Sequence, residues 1–295
     1  MKKVLLTGGS GFIGKNIIES YLAKKYQIIA PKRTELDLVN YESVHNFFQK
    51  NKNFDVVIHS ATRPGHRNAQ DLNGVFYDNC RMFFNLVKNS DSFGRLLNIG
   101  SGSIYDMCHY QPKMKEEFFG TTIPVDEHGF FKYVAGKHIE ASENIIDLRV
   151  FGVFGKYEDY SIRFISNAIC KAIFDLPITI KQNRKFDYIF IDDLMPILEF
   201  FIEKKVLHKS YNITPNKAIE LLEIAEIIKK ISQKDLEIKI FQTGFGLEYS
   251  GDNLRLKKEM PNFDFEKIEA SINSLYQYYL KNKSALNLQL LLTDK

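Results

Sequence analysis

The sequence predicts an α/β fold, a doubly wound parallel sheet followed by a smaller C-terminal α/β lobe. Three observations predict it. Short apolar runs alternate with amphipathic segments through the first half of the chain, a glycine-spaced turn joins the first run to the first helix, and the pattern changes after Gly155. Strands alternating with helices at this interval imply βαβ units, whose ligands sit beyond the carboxyl ends of the strands.

The first strand is Val4-Leu5-Leu6, and Thr7-Gly8-Gly9-Ser10-Gly11-Phe12-Ile13-Gly14 follows it directly. Glycines at 8, 11 and 14 permit a tight turn, close approach of backbone to a pyrophosphate, and close packing of helix on strand. Free N–H groups of the helix that follows point at such an anion. The stretch reads as a dinucleotide-binding turn, with Gly8, Ser10, Gly11, Phe12, Ile13 and Gly14 at the cofactor, although a ligand-free strand-to-helix turn has the same spacing. Beyond it, Ile13, Ile17, Ile18, Tyr21 and Leu22 share one helical face, with Lys15, Glu19 and Lys24 opposite.

The run 27–30 makes a second strand ending at Pro31. A helix beginning near Asn40 turns Val44, Phe47 and Phe48 inward. Phe54 to His59 reads as a buried strand, 62–74 as a polar loop, Met82, Phe83, Leu86 and Val87 as one helix face, and Leu96 to Ile99 as another strand. After Gly155 come a helix over 162–174, a strand at 178–180, and Tyr188 to Ile191 running into Asp192-Asp193 and another helix. A strand at 211–214, a helix over 219–231 and a last helix over 268–280 complete the pattern. The expected organisation is a cofactor domain over 1–155, with 185–205 returning to it. Residues 156–184 and 206–285 form the substrate lobe, and 286–295 a loosely attached tail.

Composition narrows the function. With 295 residues, 44% hydrophobic and 26% charged, the chain can bury a full core, and its net charge of +4 comes from Lys and Glu interspersed throughout. No basic patch argues for nucleic acid or membrane. Cys80, Cys108 and Cys170 are odd in number and widely spaced, so neither a disulfide framework nor a metal site is indicated. A reducing cytoplasm fits, and the apolar run before the glycines is too short for a signal peptide.

Two further stretches carry chemistry. Tyr133-Val134-Ala135-Gly136-Lys137 places a phenol and an ammonium four apart, on one face of a helix, where the cation favours the ionised phenol. Taken alone, that spacing equally describes a solvated helix face. Gly100-Ser101-Gly102-Ser103-Ile104-Tyr105 follows the 96–99 strand, where a parallel sheet places its site. A hydroxyl there can hydrogen-bond a carbonyl held beside the phenol, and the alternative is a plain small-residue loop.

With these signals in order, the chain resembles the extended short-chain dehydrogenase/reductase family, the nucleotide-sugar epimerases, dehydratases and reductases. The matching motifs are TGGSGFIG at 7–14, DVVIHSAT at 55–62, GSGSIY at 100–105, YVAGK at 133–137, LRVFGVFG at 148–155 and FDYIFIDDL at 186–194. The resemblance implies a Rossmann domain with a substrate lobe and a catalytic Ser101, Tyr133 and Lys137. Ser101 would orient the substrate oxygen, Tyr133 would exchange a proton with it, and Lys137 would hold the nicotinamide ribose and lower the tyrosine pKa. It also implies cofactor contacts at Asp37, Leu38, Ser60 and Ala61, and a homodimer.

At the end of the second strand, Ala30-Pro31-Lys32-Arg33-Thr34 lacks the carboxylate that NAD enzymes direct at the ribose hydroxyls, and Arg33 or Lys32 can meet a 2′-phosphate. NADP(H) is the expected cofactor. Within the family, residues 33–48 and the GSxxIY arrangement are similar to GDP-fucose synthase-like reductases, which implies a nucleotide-sugar substrate, GDP-linked or similar. Ser103 stands where those synthases carry their epimerisation cysteine, and Arg163 falls near the place of its histidine partner. Serine is a much weaker base than a thiolate, so the expectation is a C4 reductase without the epimerase step. Ser103, Arg63, Arg163 and Tyr249 are the expected substrate contacts, with His66 and Arg67 either near the sugar or on a solvated loop. Asn79 is read as a structural or cofactor-side contact, the pair Asp192-Asp193 as structural, and Gly152 replaces a common asparagine. A 4-epimerase with bound NAD, a dehydratase and a non-catalytic dinucleotide-binding protein are the competing readings.

Overall fold

The computed structural model describes residues 1–65 and 74–292, so His66 and Arg67 lie outside the described residues. The first domain runs β1 (Lys3–Thr7), α1 (Phe12–Glu19), a short α2 (Leu22–Lys25), β2 (Gln27–Ile29), α3 (Tyr41–Lys50), β3 (Phe54–His59), α4 (Val75–Val87), β4 (Phe93–Ser101), α5 (Glu127–Ala141) and β5 (Ile145–Val150). Then follow β6 (Gly152–Phe154), α6 (Phe164–Ile173), β7 (Ile178–Asn183), β8 (Lys185–Phe186), β9 (Tyr188–Phe190), α7 (Leu194–Glu203) and β10 (Ser210–Ile213). The chain ends with β11 (Ile219–Glu220), α8 (Leu221–Ser232), β12 (Ile238–Phe245), α9 (Leu254–Glu259) and α10 (Ile268–Lys281).

Six strands form the main sheet in the order β10-β5-β4-β3-β1-β2, every neighbouring pair parallel. Its alternating side chains feed two cores. Leu5, Val57, Leu96 and Ile145 face Val44, Phe83 and Ala135 of α3, α4 and α5. Val4, Leu6, Val56 and Leu97 face Ile17 of α1 and Ile197, Leu198 and Phe201 of α7. This is the doubly wound Rossmann arrangement. Helix α3 starts where expected because Asn40 caps it, its side chain accepting from the Ser43 N–H at 3.2 Å.

One strand lies elsewhere than its place in the sequence suggests. β10, expected in the second lobe, is the edge strand of the main sheet, paired with β5 from Ser210↔Asp147 to Ile213↔Val150. All four of its residues are buried, as a parallel strand covered on both faces requires. The smaller lobe packs α6, α8 and α10 around Ile165, Ile169, Ile224, Ile228, Ile272 and Leu275, with β7 and β12 paired in parallel beside them. The expected loose tail is docked on this lobe as far as residue 292. Leu291 is buried in the lobe core and the Asn287 N–H donates to the Tyr160 hydroxyl at 2.9 Å. Apolar burial outweighs the entropy of a free end.

Candidate active site

The glycine turn leaves no room for side chains. Gly8 has φ +74°, and a Cβ on Gly14 would stand 2.2 Å from the Gly8 carbonyl oxygen. Gly11 caps α1 with no side-chain hydrogen bond, so the first N–H groups of the helix remain open to an anion. From this turn a cleft of about 1700 Å³ runs along the carboxyl ends of the strands into the second lobe. The residues read from sequence as cofactor contacts at the turn, Gly8, Ser10, Gly11, Phe12, Ile13 and Gly14, line it, as do Arg33, Asp37, Leu38, Ser60 and Ala61. Ser101, Ser103, Arg63, Arg163 and Tyr249 line it as well.

Tyr133 and Lys137 do not. Tyr133 packs on Phe119 with ring centroids 5.4 Å apart. The Lys137 ammonium lies 4.7 Å from the same ring and donates to Glu140 at 3.0 Å on the exposed side. The pair that α5 turns into the cleft is His128 and Lys132, also four apart. Five residues separate the two pairs, which rotates one from the other by about 140° at 3.6 residues per turn, so only one can face the cleft. Packing decides which. Phe131, Ala135 and Ile139 are buried against the sheet core, and a Cβ on Gly129 would stand 2.8 Å from the Ser103 carbonyl, which brings the start of α5 against the Ser101–Ser103 loop. The signal was present in the sequence as His128-Gly129-Phe130-Phe131-Lys132, the same spacing with a histidine in the leading place.

The electrostatics of these groups follow from burial. The Lys132 ammonium donates to the Ile99 carbonyl at 2.9 Å. Burial pulls its pKa down to about 8, against the opposing charge of Asp147. His128 is held neutral, its pKa down to about 4 through burial and then the Lys132 charge, with Arg163 adding to the effect and Asp126 opposing it. His59, at the end of β3, is lowered to about 3 for the same two reasons, and its Nδ1 pairs with the Thr7 hydroxyl at 2.8 Å. Burial pushes the Tyr249 phenol above its ordinary range, with the Ser101 side chain acting in the opposite direction. Among the described residues, His128 Nδ1 and Ser103 Oγ are buried without a hydrogen-bond partner. A hydroxyl, an imidazole and an ammonium thus converge at the end of β4, with two polar atoms whose burial leaves them free to meet a ligand.

The remaining sequence candidates have structural surroundings. Asn79 accepts from the Arg63 N–H at 2.8 Å and donates to Val75 O at 2.8 Å, pinning the loop after β3 to α4. The Arg63 guanidinium pairs with Asp78. Asp193 accepts from the Glu266 N–H at 3.2 Å, joining the sheet domain to the segment before α10. A side chain at Gly152 would meet the Asp187 carbonyl 2.6 Å from its Cβ, so this backbone has no room for an asparagine there.

Fold and cleft together define a dinucleotide-binding α/β protein of the Rossmann type. The chain belongs to the NAD dependent epimerase/dehydratase family, whose model matches residues 4–214. A GDP-L-fucose synthase of Azorhizobium caulinodans is 32% identical over 133 residues, which are 44% of this chain and 42% of that protein. The chain thus matches under half the length of that relative. A CDP-abequose synthase of Salmonella muenchen is 25% identical over 252 residues, 80% of this chain and 83% of that one. The NADP-bound structure of a GDP-mannoheptose C4 reductase from Campylobacter jejuni superposes with a TM-score of 0.80 at 21% identity, covering 94% of this chain and 98% of that one.

Proposed function

We propose that this protein reduces the C4 ketone of a nucleotide-linked 4-keto sugar, GDP-linked by preference, with NADPH and without epimerising the neighbouring carbons. The observation that carries the reading is the cleft along the strand ends. It joins a glycine turn, a second-strand end where Lys32 and Arg33 line the wall with Asp37 3.8 Å from the Arg33 guanidinium, the Ser101 hydroxyl, and a lobe wall bearing Arg163, Lys181 and Arg184. Guanidinium and ammonium groups there suit a sugar diphosphate, and those at 32 and 33 suit a 2′-phosphate. The synthases and the C4 reductase among the relatives support the substrate class.

NADPH supplies hydride to the carbonyl carbon when bound. The chain does the rest. The glycine turn and the N-terminus of α1 hold the pyrophosphate, Ser101 donates to the ketone oxygen, and the Lys132 charge favours the alkoxide as it develops. Ser103 offers a hydroxyl where a thiolate would be needed to remove a proton beside the ketone. The test is a screen of NADPH oxidation against GDP-, CDP-, dTDP- and UDP-linked 4-keto sugars, run in deuterated water. Stoichiometric oxidation with no deuterium at C3 or C5 supports the reading. Deuterium at either carbon, or interconversion of C4 epimers without net oxidation of NADPH, sinks it in favour of an epimerase.

A further inference from the structure

We propose that His128 is the side chain that delivers the proton to the substrate's ketone oxygen, in place of a tyrosine, with Lys132 resupplying it. The inference rests on the reductase reading above. The phenol and ammonium of Tyr133 and Lys137 lie against Phe119, and the i,i+4 pair that reaches the cleft is an imidazole and an ammonium. His128 sits in the first turn of α5, two residues after the capping residue Asp126, and one of its ring nitrogens is buried with no partner among the described residues. Lys132 follows on the same helical face, anchored at the Ile99 carbonyl beside Ser101.

The charges around the pair favour a neutral ring. His128 faces Lys132 on its own helix, Asp126 before it and Arg163 from the second lobe. Lys132 faces His59 on β3 and Asp147 on β5. Two cations against one carboxylate, in a buried place at a helix start, keep the imidazole uncharged, and a neutral imidazole so placed is an effective hydrogen-bond donor to a carbonyl. The step then balances as follows. Hydride from the dihydronicotinamide bonds to the carbonyl carbon and the C=O π pair moves to oxygen. The imidazole N–H proton bonds to that oxygen, the Lys132 ammonium returns a proton to the ring, and water reprotonates the amine. Tyr249 is another phenol lining the cleft, but it lies outside any helix, on a single bridge to Phe186, and so carries no lysine one helical turn away.

The experiment compares the full-length protein with His128→Phe, His128→Tyr and Tyr249→Phe, each assayed for steady-state turnover of a 4-keto nucleotide sugar and for NADPH affinity by fluorescence titration. His128→Phe is expected to lower kcat by about 10²-fold or more while NADPH affinity stays within about twofold, and His128→Tyr to recover part of the loss by placing a phenol over Lys132. Retention of more than about a tenth of kcat in His128→Phe, or collapse in Tyr249→Phe alone, overturns the assignment. A second readout does not need turnover. In protein with ¹⁵N-labelled histidine, adding NADP⁺ with the reduced nucleotide sugar should shift the His128 ring nitrogens, assigned by their loss in His128→Phe, and unchanged resonances overturn the inference. A wild-type protein that turns over no ketone defeats the reductase reading, whereas a wild type that turns over beside a fully active His128→Phe defeats only the histidine.

Discussion

Lys132→Met separates the energetic cost of the site from its use. The Lys132 ammonium is buried and its pKa falls from 10.5 to about 8, so between those values the unfolded chain binds more protons than the folded one. Stability therefore rises with pH across that window, and the cost of the buried charge is fully present below pH 8. The gap corresponds to about 3 kcal/mol, less about 1 kcal/mol for the Ile99 carbonyl that methionine would leave unpaired. The variant should thus be more stable than wild type by about 2 kcal/mol at pH 7, with the advantage falling as pH rises and the sign reversed by pH 10.5, where only the lost hydrogen bond of about 1 kcal/mol remains. Denaturant unfolding at pH 7, 9 and 10.5 measures it, and turnover measured in parallel should be lost. A Lys132→Met protein less stable than wild type at pH 7, or a stability difference that does not change between pH 7 and 10.5, would refute the reasoning.

Two other perturbations test other parts of the cleft. Glu158 lines it in the second lobe, with Ser166 donating to its carboxyl at 2.6 Å, and burial raises its pKa from 4.5 to about 8. Here the folded chain binds the extra proton, so the contribution is present below pH 4.5 and lost as pH rises through about 8. Thermal melts should show wild type losing stability between pH 5 and 8 more steeply than Glu158→Gln; parallel curves would contradict this. Gly14→Ala forces a Cβ to within 2.2 Å of the Gly8 carbonyl, an overlap with backbone that costs about 1–3 kcal/mol and weakens NADPH binding at least about tenfold. Calorimetric titration checks it, and unchanged affinity would mean that the turn does not cradle the pyrophosphate.

The glycine turn was legible because φ +74° at Gly8 and the 2.2 Å approach at Gly14 admit no other residue, and such constraints are written in the sequence. The parallel sheet was legible for a similar reason, since strands buried on both faces read as continuous apolar runs. The phase of α5 was not. Tyr133-Lys137 and His128-Lys132 satisfy the same four-residue spacing, and only contacts remote in sequence, Gly129 against Ser103 and Ala135 against the sheet core, choose between them. β10 was legible as a strand and illegible as a sheet member, because its pairing with β5 spans more than sixty residues. The tail hid its docking in one leucine, Leu291, buried by a lobe that is assembled only in three dimensions.

The function itself is decided by one measurement, NADPH consumed per molecule of product when the purified protein meets a GDP-linked 4-keto sugar. One NADPH should be oxidised for each ketone reduced. Product formed with no net oxidation of NADPH would contradict it.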